Sequence, residues 1–144
     1  MIEIQLPDSN GMETALKHDA PGLARLFFLR GLDSEEKGNL LQAINDYDTA
    51  LRISPDNAQI LYRRGLAFSK KGELDRAIAN FDEALRVNPA FAEPRYARGN
   101  VWANKRRFDR AIEDYDAALR LNPDAWQTVH AREDIPGQDM PVLS

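Results

Sequence analysis

From Leu74 to Leu85 the apolar residues Leu74, Ala77, Ile78, Phe81, Ala84 and Leu85 recur at intervals of three and four, with charged and amide side chains between them. That spacing predicts an amphipathic α-helix with one apolar stripe. Ahead of it, Leu61, Leu66 and Phe68 lie on a second helical pattern, and Lys71-Gly72-Glu73 interrupts the two. Asn88-Pro89 closes the later helix, because a residue that precedes proline is pushed out of the α region. Gly65, Ala77 and Ala84 are small where two antiparallel helices have to approach. The predicted element is therefore a helix, a tight turn and a second helix.

This element repeats. Residues 58–91 and 92–125 agree at 15 of 34 positions without a gap, and residues 24–57 match the central segment at 14 of 34. Pro55, Pro89 and Pro123 mark the same point in each. A gapless period of this size is the signature of a stacked array, in which one hairpin cannot bury its apolar face alone and about three are needed. Three are present, the minimum. The turn uses Gly38 and Gly72, which suits positive φ at a helix end. The third turn has Arg106 there, inside Lys105-Arg106-Arg107. If the turn keeps its shape, a non-glycine residue costs on the order of 1 kcal/mol.

Ala43-x3-Tyr47, Ala77-x3-Phe81 and Ala111-x3-Tyr115 are each followed by an alanine (Ala50, Ala84, Ala118) and then a proline. Gly31, Gly65 and Gly99 recur in the first helices, with Phe68 and Trp102 three residues after the second and third. In these residues the chain resembles the tetratricopeptide repeat (TPR) family. The resemblance covers residues 24–125, about 70% of the chain. It departs from the pattern at Ser34, where an aromatic is expected, so the end of that helix should pack less well. The resemblance implies an all-α fold: a right-handed superhelical array of three antiparallel hairpins closed by a short capping helix. The expected organisation is a mostly flexible segment 1–20, a TPR domain 21–133 with its capping helix at 124–133, and a flexible tail 134–144.

In resembling proteins the first helices line a concave face that grips a peptide or a partner's helix. Carried over position by position, that face has Arg25, Phe28, Leu32 and Glu35, then Gln59, Tyr62, Leu66 and Ser69, then Glu93, Tyr96, Asn100 and Ala103. Phe28, Tyr62 and Tyr96 form an aromatic column with the 34-residue period. Aromatic residues give large contact area at low entropic cost, although the same column also suits core packing between helices. One branch of the family clamps the C-terminal carboxylate of chaperones with basic and asparagine side chains. The corresponding positions here are Phe28, Leu32, Arg63, Glu93 and Ala97, only one of them basic, so that clamp motif is absent. Arg63, Lys70 and Arg95, in or beside the groove, favour an acidic segment.

The ends are less patterned. Met12 to Lys17 can form a turn or two of helix behind Asn10, and Met12, Ala15 and Leu16 are candidates to cover the apolar first helix that Pro21 opens. After Pro123, Asp124 is the expected cap of a helix reaching about Glu133, with Trp126 and Val129 on one side. On the second helices Asp48, Asp82 and Asp116 stand four residues before Arg52, Arg86 and Arg120. An acid-then-base pair at that spacing supports a helix by roughly 0.2–0.5 kcal/mol. They are expected to be structural pairs.

Composition narrows the function by exclusion. The net charge of −4 comes from acidic ends, −3 over residues 1–23 and −2 over 126–144, around repeats at +1. That balance argues against nucleic-acid binding through Arg63, Arg64, Lys70, Lys71 and Lys105 to Arg107. With no cysteine and only His18 and His130, no zinc spacing exists. No phosphate-binding loop, dinucleotide fingerprint or nucleophile elbow occurs, so no cofactor and no catalysis are expected. No apolar run approaches the ~20 residues that span a bilayer, no secretory signal pattern opens the chain, and the expected compartment is the cytoplasm. The reading is a non-catalytic module or scaffold that holds a protein or peptide partner in the groove. Two alternatives stand beside it: a homo-oligomer assembled through the terminal helices or tail, and a regulatory subunit of a larger enzyme or secretion complex.

Overall fold

The computed structural model describes residues 4–138, and the regular secondary structure among them is all helix, without a strand. Eight helices follow in order among these residues: α1 (Ser9–His18), α2 (Ala20–Glu36), α3 (Leu40–Ile53), α4 (Ala58–Lys70), α5 (Leu74–Val87), α6 (Ala92–Asn104), α7 (Phe108–Leu121) and α8 (Trp126–Glu133). The contacts divide the chain into two compact units, Met1–Asn88 and Pro89–Ser144. In the amino-terminal unit α1 packs on α2, α2 pairs with α3, α3 touches α4, and α4 pairs with α5. In the carboxy-terminal unit α6 pairs with α7 and α8 packs on α7.

The predicted stripe is the buried one: Ala77, Phe81, Ala84 and Leu85 of α5 are core residues, as are Ala43, Tyr47, Ala50 and Leu51 of α3. The ring of the second helix sets how closely each pair can approach. A Cβ on Gly65 would lie 2.6 Å from the Phe81 ring, and Gly31 and Gly99 stand in the same relation to Tyr47 and Tyr115. Only a residue without a side chain leaves space for that ring. Ser34 is buried despite lacking the aromatic that Phe68 and Trp102 supply at its position.

The hairpin turns share one geometry. The N–H groups of Asn39, Glu73 and Arg107 donate to the carbonyls of Ser34, Phe68 and Trp102, at 2.8, 2.9 and 2.8 Å. This six-to-one bond needs a left-handed residue just before it, which Gly38 (φ 79°), Gly72 (φ 86°) and Arg106 (φ 63°) provide. The third turn keeps its shape and carries the strain.

Both ends differ from expectation. α1 begins at Ser9, one turn earlier than a helix set behind Asn10, because the Asp8 carboxylate accepts the Gly11 N–H at 2.7 Å. The helix buries no residue and Leu16 is 51% exposed, so Leu16 is not part of a cover over α2. α8 starts from Ala125 with no side-chain cap, rather than from Asp124. Its inward side is Thr128 and Ala131, with Ile135 just beyond, whereas Trp126 is 64% exposed. Residues 134–138, expected to be flexible, hold Ile135 at 6% exposure against Ala111 and Tyr115. There the Gln138 amide donates to the carbonyls of Arg132 and Ile135. The remainder of the expected tail, 139–144, lies outside the described residues, as do residues 1–3 of the expected amino-terminal segment.

Candidate partner-binding face

The exposed side of each first helix is built by helical spacing. In α2, Arg25 is exposed and Phe28, Leu32 and Glu35 are half-buried; in α4, Gln59 is exposed and Tyr62, Leu66 and Ser69 are half-buried. Glu93 and Asn100 of α6 are exposed, and Tyr96 and Ala103 are half-buried. The aromatic column is shared between surface and core. Phe28 leans on Tyr47 at 5.9 Å between ring centroids, Tyr62 on Phe81 at 6.1 Å and Tyr96 on Tyr115 at 6.1 Å. Each ring therefore braces its own hairpin and still keeps an accessible edge.

In the amino-terminal unit Arg25, Phe28 and Gln59 line a cleft of about 320 Å³ between α2 and α4, closed by Pro21, Asn57 and Ile60. Lys70 is engaged within the fold, since its Nζ lies 3.0 Å from Glu35 Oε2. The other Glu35 oxygen accepts the Tyr47 hydroxyl at 2.5 Å. Burial, and then this bond to a carboxylate, push the Tyr47 phenol well above its ordinary range. Arg63 stacks over Tyr62, 6.0 Å from the ring centroid, and its Nε is buried without a hydrogen-bond partner. Arg95 donates to the Pro89 carbonyl at 3.3 Å. Of the three cations expected to attract an acidic segment, Arg63 alone has a buried side-chain nitrogen without a hydrogen-bond partner among the described residues.

A second set of residues was not anticipated: Arg30, Arg64, Arg98 and Arg132, again 34 apart. Arg30 forks onto Asp46 through Nε (3.0 Å) and Nη2 (2.6 Å), and Arg98 onto Asp114 in the same way (2.8 and 2.6 Å). Arg64 reaches Asn80 and Asp48, both at 2.7 Å, so it joins α4 to α5 and to α3. Arg132 holds Asp116. Asp48 and Asp116 are thus used between helices. Arg52 turns to the Thr49 hydroxyl, and Arg86 to Glu83 and Asp56. At Asp48 and Asp116 the expected pair at four-residue spacing is replaced, because Arg64 and Arg132 offer a charged partner from another helix. The signal was in the sequence, as an identity shared by the repeats.

Arg132 also shows what α8 is. It stands 34 residues after Arg98, which places Ala131 at the position of Ala97, Ile135 at that of Val101 and His130 at that of Tyr96. α8 has the register of a first helix, cut short. Residues 62–125 match the model of the tetratricopeptide repeat, and residues 36–72 match a further TPR repeat model. The chain belongs to the tetratricopeptide repeat family. The first TPR of Spaghetti (RPAP3) bound to HSP90 peptide SRMEEVD has the same fold at TM-score 0.76 and 20% identity, over 78% of this chain and 89% of that one. The Arabidopsis OM64 TPR domain aligns at TM-score 0.79 and 18% identity, over 83% and 99%. YrrB, a TPR protein with an unusual peptide-binding site, aligns at 0.73 and 23%, over 76% and 57%. No curated protein shows a significant sequence match to the chain. In this TPR chain, no helix among the described residues is long and apolar enough to cross a membrane.

Proposed function

We propose that this chain is a non-catalytic interaction module that holds a segment of a partner protein against the exposed sides of its first helices. The cleft between α2 and α4 carries this reading, because three of its lining residues, Arg25, Phe28 and Gln59, belong to the face that the repeat pattern assigns to binding. It joins an aromatic anchor to a cation and an amide, the mixture that gives contact area and orientation. A structural neighbour with the same fold binds a peptide, which agrees with this use. Only Arg63 is basic among the positions of the chaperone-carboxylate clamp, so the partner is held by another arrangement.

The test is binding to a partner recovered with the full chain. Phe28→Ala combined with Tyr62→Ala should weaken binding by at least tenfold while helicity is kept. An unchanged affinity would overturn the reading. A second reading, self-association, is favoured by Trp126 and Leu121, both exposed near the carboxy terminus. Light scattering after size exclusion, on the full chain and on Leu121→Ser combined with Trp126→Ser, checks it: a dimer lost in the variant makes assembly the function, and a monomer in both removes it.

A further inference from the structure

In the register set by Arg98 and Arg132, α8 would run to residue 138, the counterpart of Asn104, yet it ends at Glu133 with Pro136 just beyond. The missing length leaves a cleft of about 480 Å³ in the carboxy-terminal unit. Phe108, Tyr115 and Ile135 supply apolar walls, and Asn104, Arg106 and Asp134 supply polar ones. Lys105, Arg106 and Arg107 are all exposed beside it. Neither Arg106 nor Arg107 has an ion pair or side-chain hydrogen bond among the described residues.

Arg106 is the unexpected part. The equivalent turns place Gly38 and Gly72 in the left-handed region, and Arg106 holds that conformation with a side chain. Glycine would remove the strain and keep the turn. Strain retained where an unpaired charge meets a cleft is the arrangement found at ligand sites. We infer that this cleft is a docking site for an acidic partner segment that seats an apolar side chain between α6, α7 and α8 and places a carboxylate on Arg106. Asp134 repels an acid over the rest of the rim, so it restricts the incoming carboxylate to the Arg106 side. Charge favours a protein over a nucleic acid. The chain is −4 overall, and Arg110 already stacks on Trp102 at 4.7 Å, covering one face of the aromatic that base stacking would use.

The cleft shares Asn100 and Ala103 with the exposed side of α6, so the inference rests on the proposed use of the first helices, and its test leaves Arg25, Phe28 and Tyr62 intact. Fluorescence anisotropy would compare a labelled peptide of alternating glutamate and leucine with its glutamine counterpart and with an oligouridylate. The proteins are the full chain, Arg106→Gly and Asn104→Trp. The acidic peptide should bind the parent chain and the glutamine peptide should not. Arg106→Gly should weaken binding about tenfold, the loss of one charge-assisted hydrogen bond, while its denaturation midpoint rises. Asn104→Trp should fill the cleft and abolish binding with an unchanged midpoint. Equal binding by Arg106→Gly, a midpoint that falls, equal binding of the glutamine peptide, or an Arg106-dependent signal from the RNA alone would each overturn the proposal.

Discussion

At the scale of single residues, the hairpins are held by contacts that tolerate no added atom. Gly65→Ala would push a Cβ into the Phe81 ring, at 2.6 Å. Overpacking of that kind costs about 1–3 kcal/mol, and chemical denaturation should show a loss of that size. Asp46 is 2% exposed and receives both donors of the Arg30 fork. Asp46→Ala leaves that guanidinium without its partner and should cost roughly 1.5–3 kcal/mol. The Tyr115 hydroxyl donates to Asn100 Oδ1 at 2.6 Å. Burial, followed by repulsion from Tyr96 and Asp114, pushes its phenol from about 10 up to about 12. The folded chain thus keeps a proton that the unfolded chain has released. The resulting stability is whole below pH 10 and is lost as the pH rises through 12. Tyr115→Phe should flatten the alkaline limb of a melting-temperature profile.

Elements were read well where one helix suffices to explain a residue. The stripe of α5, the breaks at Gly38 and Gly72 and the stop before Pro89 are local chemistry, and each stands where periodicity and turn preference put it. α8 was read less well because its inward face is chosen by α7. Trp126 has the largest apolar surface in the segment and faces out, while Thr128 and Ile135 are buried. Ile135→Ala should cost about 2–5 kcal/mol in urea denaturation of the full chain, a loss that a mobile tail would not show. The expected pair of Asp48 with Arg52 failed for the same reason. Spacing makes Arg52 available to Asp48, but packing brings Arg64 within 2.7 Å.

For the molecule as a whole, what the sequence by itself determined is the repeated hairpin, since its information is local: helical stripes, small residues at the approach, and turns that break the pattern. The gapless 34-residue identities carry the family assignment as well, because a stacked unit must present the same surface each time. The identity of the exposed faces followed from helical geometry alone, so Phe28, Tyr62 and Tyr96 were legible as candidates. The tertiary structure alone decided which side chains are spent on the fold. Lys70 is committed to Glu35, the recurring arginines bind second-helix residues, and Arg106, without a side-chain partner among the described residues, stands beside a cleft left by a truncated helix. Each of these depends on distances between segments many residues apart. Helical periodicity fixes the direction of a side chain around its own axis, and only packing fixes what it meets there.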